Sequence, residues 1–334
     1  MLHSYLTPKP CYMIKVITPL AALTVGMSVV SADTTWEGDV VGDEDNYYNV
    51  NNWSNGLPNN VDNPGTIDSG TPGADGSLDV TNNNGEYLNV VTGGTLVTAT
   101  VTTTRFQNFS TVNVNGGTLS VGNGQTLQLG GDTALNLNGG LVTSSSGTAT
   151  IWTNSSSAVI NVNSATTFSG VNIWNRLGTV NIDNTTLTLG TYDFVQGSND
   201  AFLNLQNGAT LHATTEFDYA GNSAFTHGLI TLTNGVNTFR AAAWDNPENL
   251  QFNFTSTALN STIVIDAGFF DETEWAAKWA DGTLTFDGGN VGSFGDYFTV
   301  AGDTLTLTSV PEPSTYALIG GILALALVMT RRRK

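Results

Sequence analysis

The chain carries a single cysteine, Cys11, in 334 residues. It precedes the whole repetitive body, which therefore has no thiol for a disulfide, a thiolate metal site or cysteine catalysis. Basic residues are scarce as well: Lys and Arg total 10 against 28 Asp and Glu, a formal net charge of −18. Between Asp33 and Val310 only Arg105, Arg176, Arg240 and Lys278 are basic, while every acid except Glu312 lies there. Such a body repels phosphate backbones and anionic lipid, so nucleic acid is excluded as a partner. Charged residues make up 11% of the chain, roughly half of the ~25% usual in soluble domains.

Several catalytic signatures are missing too. Lys278 follows Ala277, so the body has no phosphate-cradling G-x-x-x-x-G-K-[ST] loop. There is no G-x-S-x-G elbow and no H-E-x-x-H zinc helix. His212 and His227 lack the i,i+4 spacing of helical ligand pairs and read as surface strand residues. Glycine, by contrast, is abundant, with 37 residues. Together with plentiful Asn, Thr and Ser it suits repetitive secreted β structure.

That repetition is visible as apolar-Asn-apolar triplets. Leu88-Asn89-Val90, Val112-Asn113-Val114, Leu135-Asn136-Leu137, Ile160-Asn161-Val162, Val180-Asn181-Ile182 and Leu203-Asn204-Leu205 recur, and Ile230-Thr231-Leu232 replaces Asn with Thr. The mean interval is about 24 residues, within the range of repeat architectures. Alternation at period 2 puts Val112 and Val114 on one face and Asn113 on the other. Turns such as Asn115-Gly116-Gly117, Asn138-Gly139-Gly140 and Asn207-Gly208-Ala209 follow the triplets. Gly and Asn tolerate the positive φ that lets the chain bend there. One unit cannot cover its own apolar face, but stacked units cover each other. The expected fold is all-β, a right-handed parallel β-helix. An antiparallel sandwich has no reason to repeat Asn-Gly, and a propeller blade needs about 40 residues. Asn115, Asn138 and Asn207 are expected to stack as an amide ladder, and Thr95, Thr118 and Thr210 as a threonine row.

The two ends read as addresses. From Met13, the expected true start, Lys15 precedes a mostly apolar stretch from Val16 to Val30, and Val30-Ser31-Ala32 offers a small-residue exit. This is the order of a secretion signal, with cleavage between Ala32 and Asp33. At the other end Val310-Pro311-Glu312-Pro313-Ser314 leads into a charge-free run to Thr330. That run is near the lower limit of about 17 residues for a spanning helix. Arg331, Arg332, Arg333 and Lys334 then close the chain and should remain cytoplasmic. Pro311-Glu312-Pro313, the short apolar helix and the basic tail together resemble the PEP-CTERM sorting signal of Gram-negative and related bacteria. The resemblance covers residues 310–334. It implies recognition by an exosortase, processing near the triplet and delivery to the cell exterior, often in organisms that make exopolysaccharide. Pro311, Glu312 and Pro313 are then substrate residues of another enzyme.

Between the addresses the expected divisions are a signal peptide at 1–32, an N-terminal cap at 33–80, repeats at 81–266, a C-terminal cap at 267–309 and the sorting signal at 310–334. Trp36-Glu37-Gly38, Asn52-Trp53 and Gly56-Leu57-Pro58 resemble the opening of secreted passenger-like β-helical proteins. Trp36, Tyr47, Tyr48 and Trp53 are capping material for an exposed solenoid end. In the second cap Asp271 and Glu274 have capping-box spacing, Phe270 and Trp275 occupy staple positions, Glu274 and Lys278 form an i,i+4 pair, and Gly282 ends the helix.

No residue stands out as catalytic, and no cofactor is called for. Arg105, Arg176 and Arg240, spaced 71 and 64 residues apart, can share a face, with Asp183, Asp193, Glu216, Asp218 and Asp245 as nearby acids. Asp39, Asp43, Glu44 and Asp45 are the densest acidic cluster. They lack the spacing of a Ca²⁺ loop and read as a solvated loop, with Ca²⁺ the one ion that hard oxygens there can take. The expected role is an exported, non-enzymatic surface or matrix protein. Its partners are the secretion machinery, an exosortase and, transiently, the inner membrane. A polysaccharide-binding module is the alternative, marked by aromatics along one face. A polysaccharide lyase or hydrolase is the second alternative.

Overall fold

Each triplet forms the centre of a strand, and consecutive strands lie parallel and in register. The computed structural model describes residues 33–58, 63–74, 78, 87–98, 104–106, 110–122, 126–144, 147–195, 201–220, 228–245, 250–267 and 270–309. Cys11, the signal segment with Ala32, His227, Pro311, Glu312, Pro313 and the tail from Arg331 to Lys334 lie outside the described residues. Asp33 is described and exposed.

The body is a parallel β-helix whose rungs each contribute up to three strands. The first face is an 11-strand path that begins at Thr34–Thr35 and Gly65–Ile67 and ends at Leu250–Phe254 and Leu284–Phe286. Its register aligns Leu88 with Val112, Leu135, Ile160, Val180, Leu203 and Ile230. Phe252 and Leu284 extend the same column. All of these are buried, as is the parallel column through Val90, Val114, Leu137, Val162, Ile182, Leu205, Leu232 and Phe254. The apolar partners of each triplet therefore line the interior and the Asn faces out, as period 2 demands.

The second strand of each rung follows the turn. Early rungs pair Thr95–Val97 with Thr118–Val121 and the latter with the end of Ala134–Ser144. Later rungs pair Thr186–Val195, Thr210–Ala220, Thr238–Ala241 and Thr262–Ile265 in turn. Third-face strands run from Thr104–Phe106 through Thr126–Leu129, Ala149–Thr153 and Val171–Asn175 into the second halves of Thr186–Val195 and Thr210–Ala220. Two register shifts, at Val162/Ser164 and Leu189/Thr191, absorb differences in rung length as β-bulges.

Turns are tight because rungs touch. A Cβ on Gly117 would lie 2.5 Å from the Val91 carbonyl oxygen, and one on Gly140 only 2.2 Å from that of Gly117. Gly140 also has φ 95°, a conformation in which a side chain is strained. The glycine column is thus required by the approach of successive backbones.

Core composition changes along the axis. Early rungs hold Leu, Val and Ile, while later ones hold Tyr192, Phe194, Phe217, Phe239, Trp244, Phe252 and Phe254. Most of these rings meet edge to face, with Phe217 and Phe239 centroids 4.8 Å apart at 85°, while Tyr192 stacks on Phe217 at 3°. This is the arrangement that aromatic quadrupoles favour.

Both ends are closed. Trp36 and Trp53 meet edge to face at 5.1 Å, Tyr47 and Trp53 at 5.4 Å, and all three are buried. At the other end the helix Glu272–Asp281 carries the expected capping box: Asp271 accepts from the Glu274 N–H at 2.9 Å and Glu274 accepts from the Asp271 N–H at 2.8 Å. Gly282 ends it with φ 82°. Trp275 packs on Phe252 at 5.8 Å. Lys278 places Nζ 5.2 Å from the Phe270 ring centre, an attractive cation–π geometry. Thr304–Leu307 then pairs antiparallel with Thr262–Ile265 and with Phe298–Ala301, which ends the parallel stack. Among the described residues no helix is long and apolar enough to cross a membrane.

Candidate functional site

The outward surfaces carry what chemistry the body offers. On the first face the central asparagines form one continuous ladder. Asn113, Asn136, Asn161, Asn181 and Asn204 each donate Nδ2–H to the Oδ1 of the Asn one rung earlier, at 2.7–3.0 Å. Beside it Asn138 donates to Asn115 and Asn163 to Asn138, both at 2.9 Å. The expected turn ladder is thus corrected at its last member: Asn207 donates to Asp183 at 2.6 Å instead. A change of turn, from Asn-Gly-Gly to Asp-Asn-Thr at residues 183–185, separates the two stacks.

The threonine row is corrected as well. Thr95 pairs with Thr118, but Thr118 next meets Leu141. Thr210 belongs to a different row, with Thr186, Thr238 and Thr262. Next to that row His212 lies in register with Arg240. Arg240 reaches the carboxylate of Asp266 at 3.1 Å, with both side chains well exposed.

The three arginines do not share a face. Arg240 is on the second. Arg105 occupies a register position of the third, opposite Gln128. Arg176 follows the third-face strand Val171–Asn175. There it donates from Nη1 to Asn154 Oδ1 at 2.9 Å and sets its guanidinium 5.2 Å from the Trp152 ring centre.

This third face gathers the most varied set of groups. Register places Arg105, Gln128, Trp152, Trp174, Asp193, Asp218 and Asp245 in one row. Trp152 and Trp174 are partly exposed neighbours, with centroids 6.4 Å apart at 78°. Gln128 and Asp193 are 6% and 7% exposed although they alternate with inward core residues, so neighbouring side chains cover them. The Gln128 Oε1 and the Trp152 Nε1–H are buried and have no hydrogen-bond partner among the described residues. Of the acids named from sequence, Asp193, Asp218 and Asp245 hold register positions in this row, whereas Asp183 is occupied by Asn207 and Glu216 lies opposite Thr191. The two tryptophans escaped the sequence reading. Their signal is a repeated pair, Ile151-Trp152 and Ile173-Trp174, one rung apart, with the Ile inward and the Trp outward.

The acidic cluster near the N-terminus serves the cap loop. Asp43 accepts from Asn46 at 3.1 Å and from Asn49 at 2.6 Å, and Asp45 accepts from the Thr71 hydroxyl at 2.9 Å. Backbone N–H groups, that of Gly42 foremost, hold the exposed Glu44 carboxyl below its ordinary range. Among the described residues no group of three or more His, Cys, Asp or Glu is placed to hold a metal ion. No family model, no curated protein and no solved structure matches this chain.

Proposed function

We propose that this chain is an exported structural protein of the cell surface or extracellular matrix, its body a right-handed solenoid. The handedness follows from the crossover rule for parallel strands. The observation that carries the reading is the closed, repetitive body. An unbroken amide ladder runs along one face from Asn89 to Asn204, and aromatic or helical caps cover both ends. Stacked polar ladders of this kind favour rigidity and resistance to unfolding over a mobile active site. A strongly acidic surface keeps such bodies apart in solution.

The terminal segments give the route. A secretion signal ends at Ala32, and the exosortase-type signal at Pro311, Glu312 and Pro313 is followed by an apolar helix that passes transiently through the inner membrane. Arg331, Arg332, Arg333 and Lys334 hold its end in the cytoplasm. The test is expression of the full chain in an exosortase-bearing bacterium, with cell fractionation and mass spectrometry of both termini. The expected product starts at Asp33, lacks the basic tail and is found outside the inner membrane. Replacing Pro311, Glu312 and Pro313 by alanine should trap it in the inner membrane. Unchanged delivery of that variant would refute the sorting role.

A further inference from the structure

The exported reading leaves the third face without a task, yet this face is built differently from the others. The first face presents hydrogen-bonded amides, and the second presents threonines with an exposed ion pair. On the third, two indoles stand on consecutive rungs, Trp152 against Trp174. One rung earlier lies Gln128, 6% exposed, with its Oε1 unmatched. An enclosed amide oxygen with no donor has lost its water without a replacement. The indole N–H of Trp152, on the adjacent rung, is unmatched too. An acceptor and a donor on neighbouring rungs, neither satisfied among the described residues, together suit a hydroxyl group, which donates to one and accepts from the other.

The surroundings narrow the ligand further. Indole faces pack well against the flat apolar faces of pyranose rings, and a partly exposed pair one rung apart offers two such platforms. Arg176 is fixed over Trp152, anchored by Asn154 and, through its backbone N–H, by Thr153 Oγ1 at 3.1 Å. It stiffens the platform from one side. Asp193, in the row beyond Trp174, adds carboxylate oxygens, which accept from hydroxyls and repel acidic sugars. The net charge of −18 acts in the same direction over longer range. A polymer lying along the solenoid axis meets these groups in succession, because rungs repeat every ~4.8 Å.

We propose that Gln128, Trp152, Trp174 and Asp193 form a docking strip for a neutral, hydroxyl-rich glycan strand. The proposal names a partner for the exported body and rests on the export reading only for where the two meet, so binding is measured on purified protein, independently of sorting.

The experiment is affinity gel electrophoresis of the full chain with hydroxyethyl cellulose, dextran or alginate in the gel. At least one neutral polymer should retard it, and alginate should not. Trp152→Ala and Trp174→Ala should each weaken retardation at least tenfold, Gln128→Leu several-fold, and Arg240→Ala, on another face, not at all. Protection of the wild-type tryptophans from N-bromosuccinimide gives a second readout that needs no variant. Peptides holding Trp152 and Trp174 should be spared when the neutral polymer is present. Retardation by neither neutral polymer, retention unaffected by the tryptophan changes, or equal oxidation with and without polymer would each overturn the strip. Failure of the Pro311–Pro313 sorting test would leave these outcomes unchanged.

Discussion

The Nδ2 of Asn136 lies 2.7 Å from the Oδ1 of Asn113, its counterpart one rung earlier. The same bond, donated in the same direction, recurs at sequence separations of 24, 25, 20 and 23 along the first face. A ladder of this kind fixes register. A slip of one residue would bring a core Leu or Val opposite an amide and turn the whole apolar column outward.

Asn136→Asp should therefore be far from silent. The change removes the donor and faces Asn113 Oδ1 with a second acceptor, while Asn161 keeps a partner. The expected loss is about 1–3 kcal/mol in urea unfolding. Because solenoid stability is the sum of rung and neighbour terms, the effect should be local. Hydrogen exchange should quicken most at Val114 and Leu137. Uniform exchange across the body would show that the ladder does not hold this junction.

Gly140→Ala tests the close approach of rungs. Its positive φ alone costs about 1–3 kcal/mol for a side-chain-bearing residue, and the Gly117 carbonyl 2.2 Å from the new Cβ forces the rungs apart. Gly131, with open space around its Cβ position and no positive φ, is the internal control. Gly131→Ala should be neutral or stabilise by up to about 1 kcal/mol. Equal effects of the two changes, measured by denaturant midpoints, would contradict the steric account.

How far the sequence reveals this molecule depends on which face a residue occupies. The apolar-Asn-apolar triplets declared both the interior columns and the stacking, since inward and outward residues differ in type at every rung. The outer rungs Gly65–Ile67 and Leu284–Phe286 belong to the same register but carry Thr66 and Thr285 in place of Asn, so they look like cap. The turn ladder was legible as far as Asn138 and lost at Asn207, because the loop at residues 183–185 shifts which side chains face each other. Assigning Arg105, Arg176 and Arg240 to one face failed for a similar reason. Rungs differ in length, and a few residues of difference move a side chain to another wall. The third-face row was the least visible. Trp152 looks like core in one dimension, and only the inward position of Ile151 sends it outward.

The C-terminal cap invites a comparison of two polar interactions. Asp271 caps the helix Glu272–Asp281 by accepting from the Glu274 N–H, while Asp266 pairs with Arg240 in the open. Asp271→Ala leaves an orphan N–H at the helix start and should destabilise by about 1 kcal/mol. Asp266→Asn removes an exposed ion pair and should change stability by less than about 0.5 kcal/mol. Urea unfolding of the two variants side by side checks the order. A larger effect from Asp266 would mean that the pair anchors the rung rather than decorating it.

Tyr192 gives a prediction that depends on pH. Its phenol oxygen is buried and accepts from Asn175 Nδ2 at 3.2 Å, while Asn175 also holds Thr153 at 2.8 Å and the Phe202 carbonyl at 2.8 Å. Burial raises the phenol pKa well above its ordinary 10.0, the Asp193 charge adds to the rise, and the Asn175 bond opposes it. Folding thus favours the protonated phenol. Below about pH 10 both states keep the proton and its contribution is complete. As pH climbs further the unfolded phenol ionises first, and stability falls by up to about 1.4 kcal/mol per pH unit. Tyr192→Phe removes that dependence and, at neutral pH, loses one hydrogen bond worth about 0.5–1.5 kcal/mol. Wild type should therefore be the more stable protein at about pH 8, and the gap should close or reverse by about pH 11. Parallel stability curves for the two proteins across that range would mean that Tyr192 ionises as freely in the folded rung as in the unfolded chain.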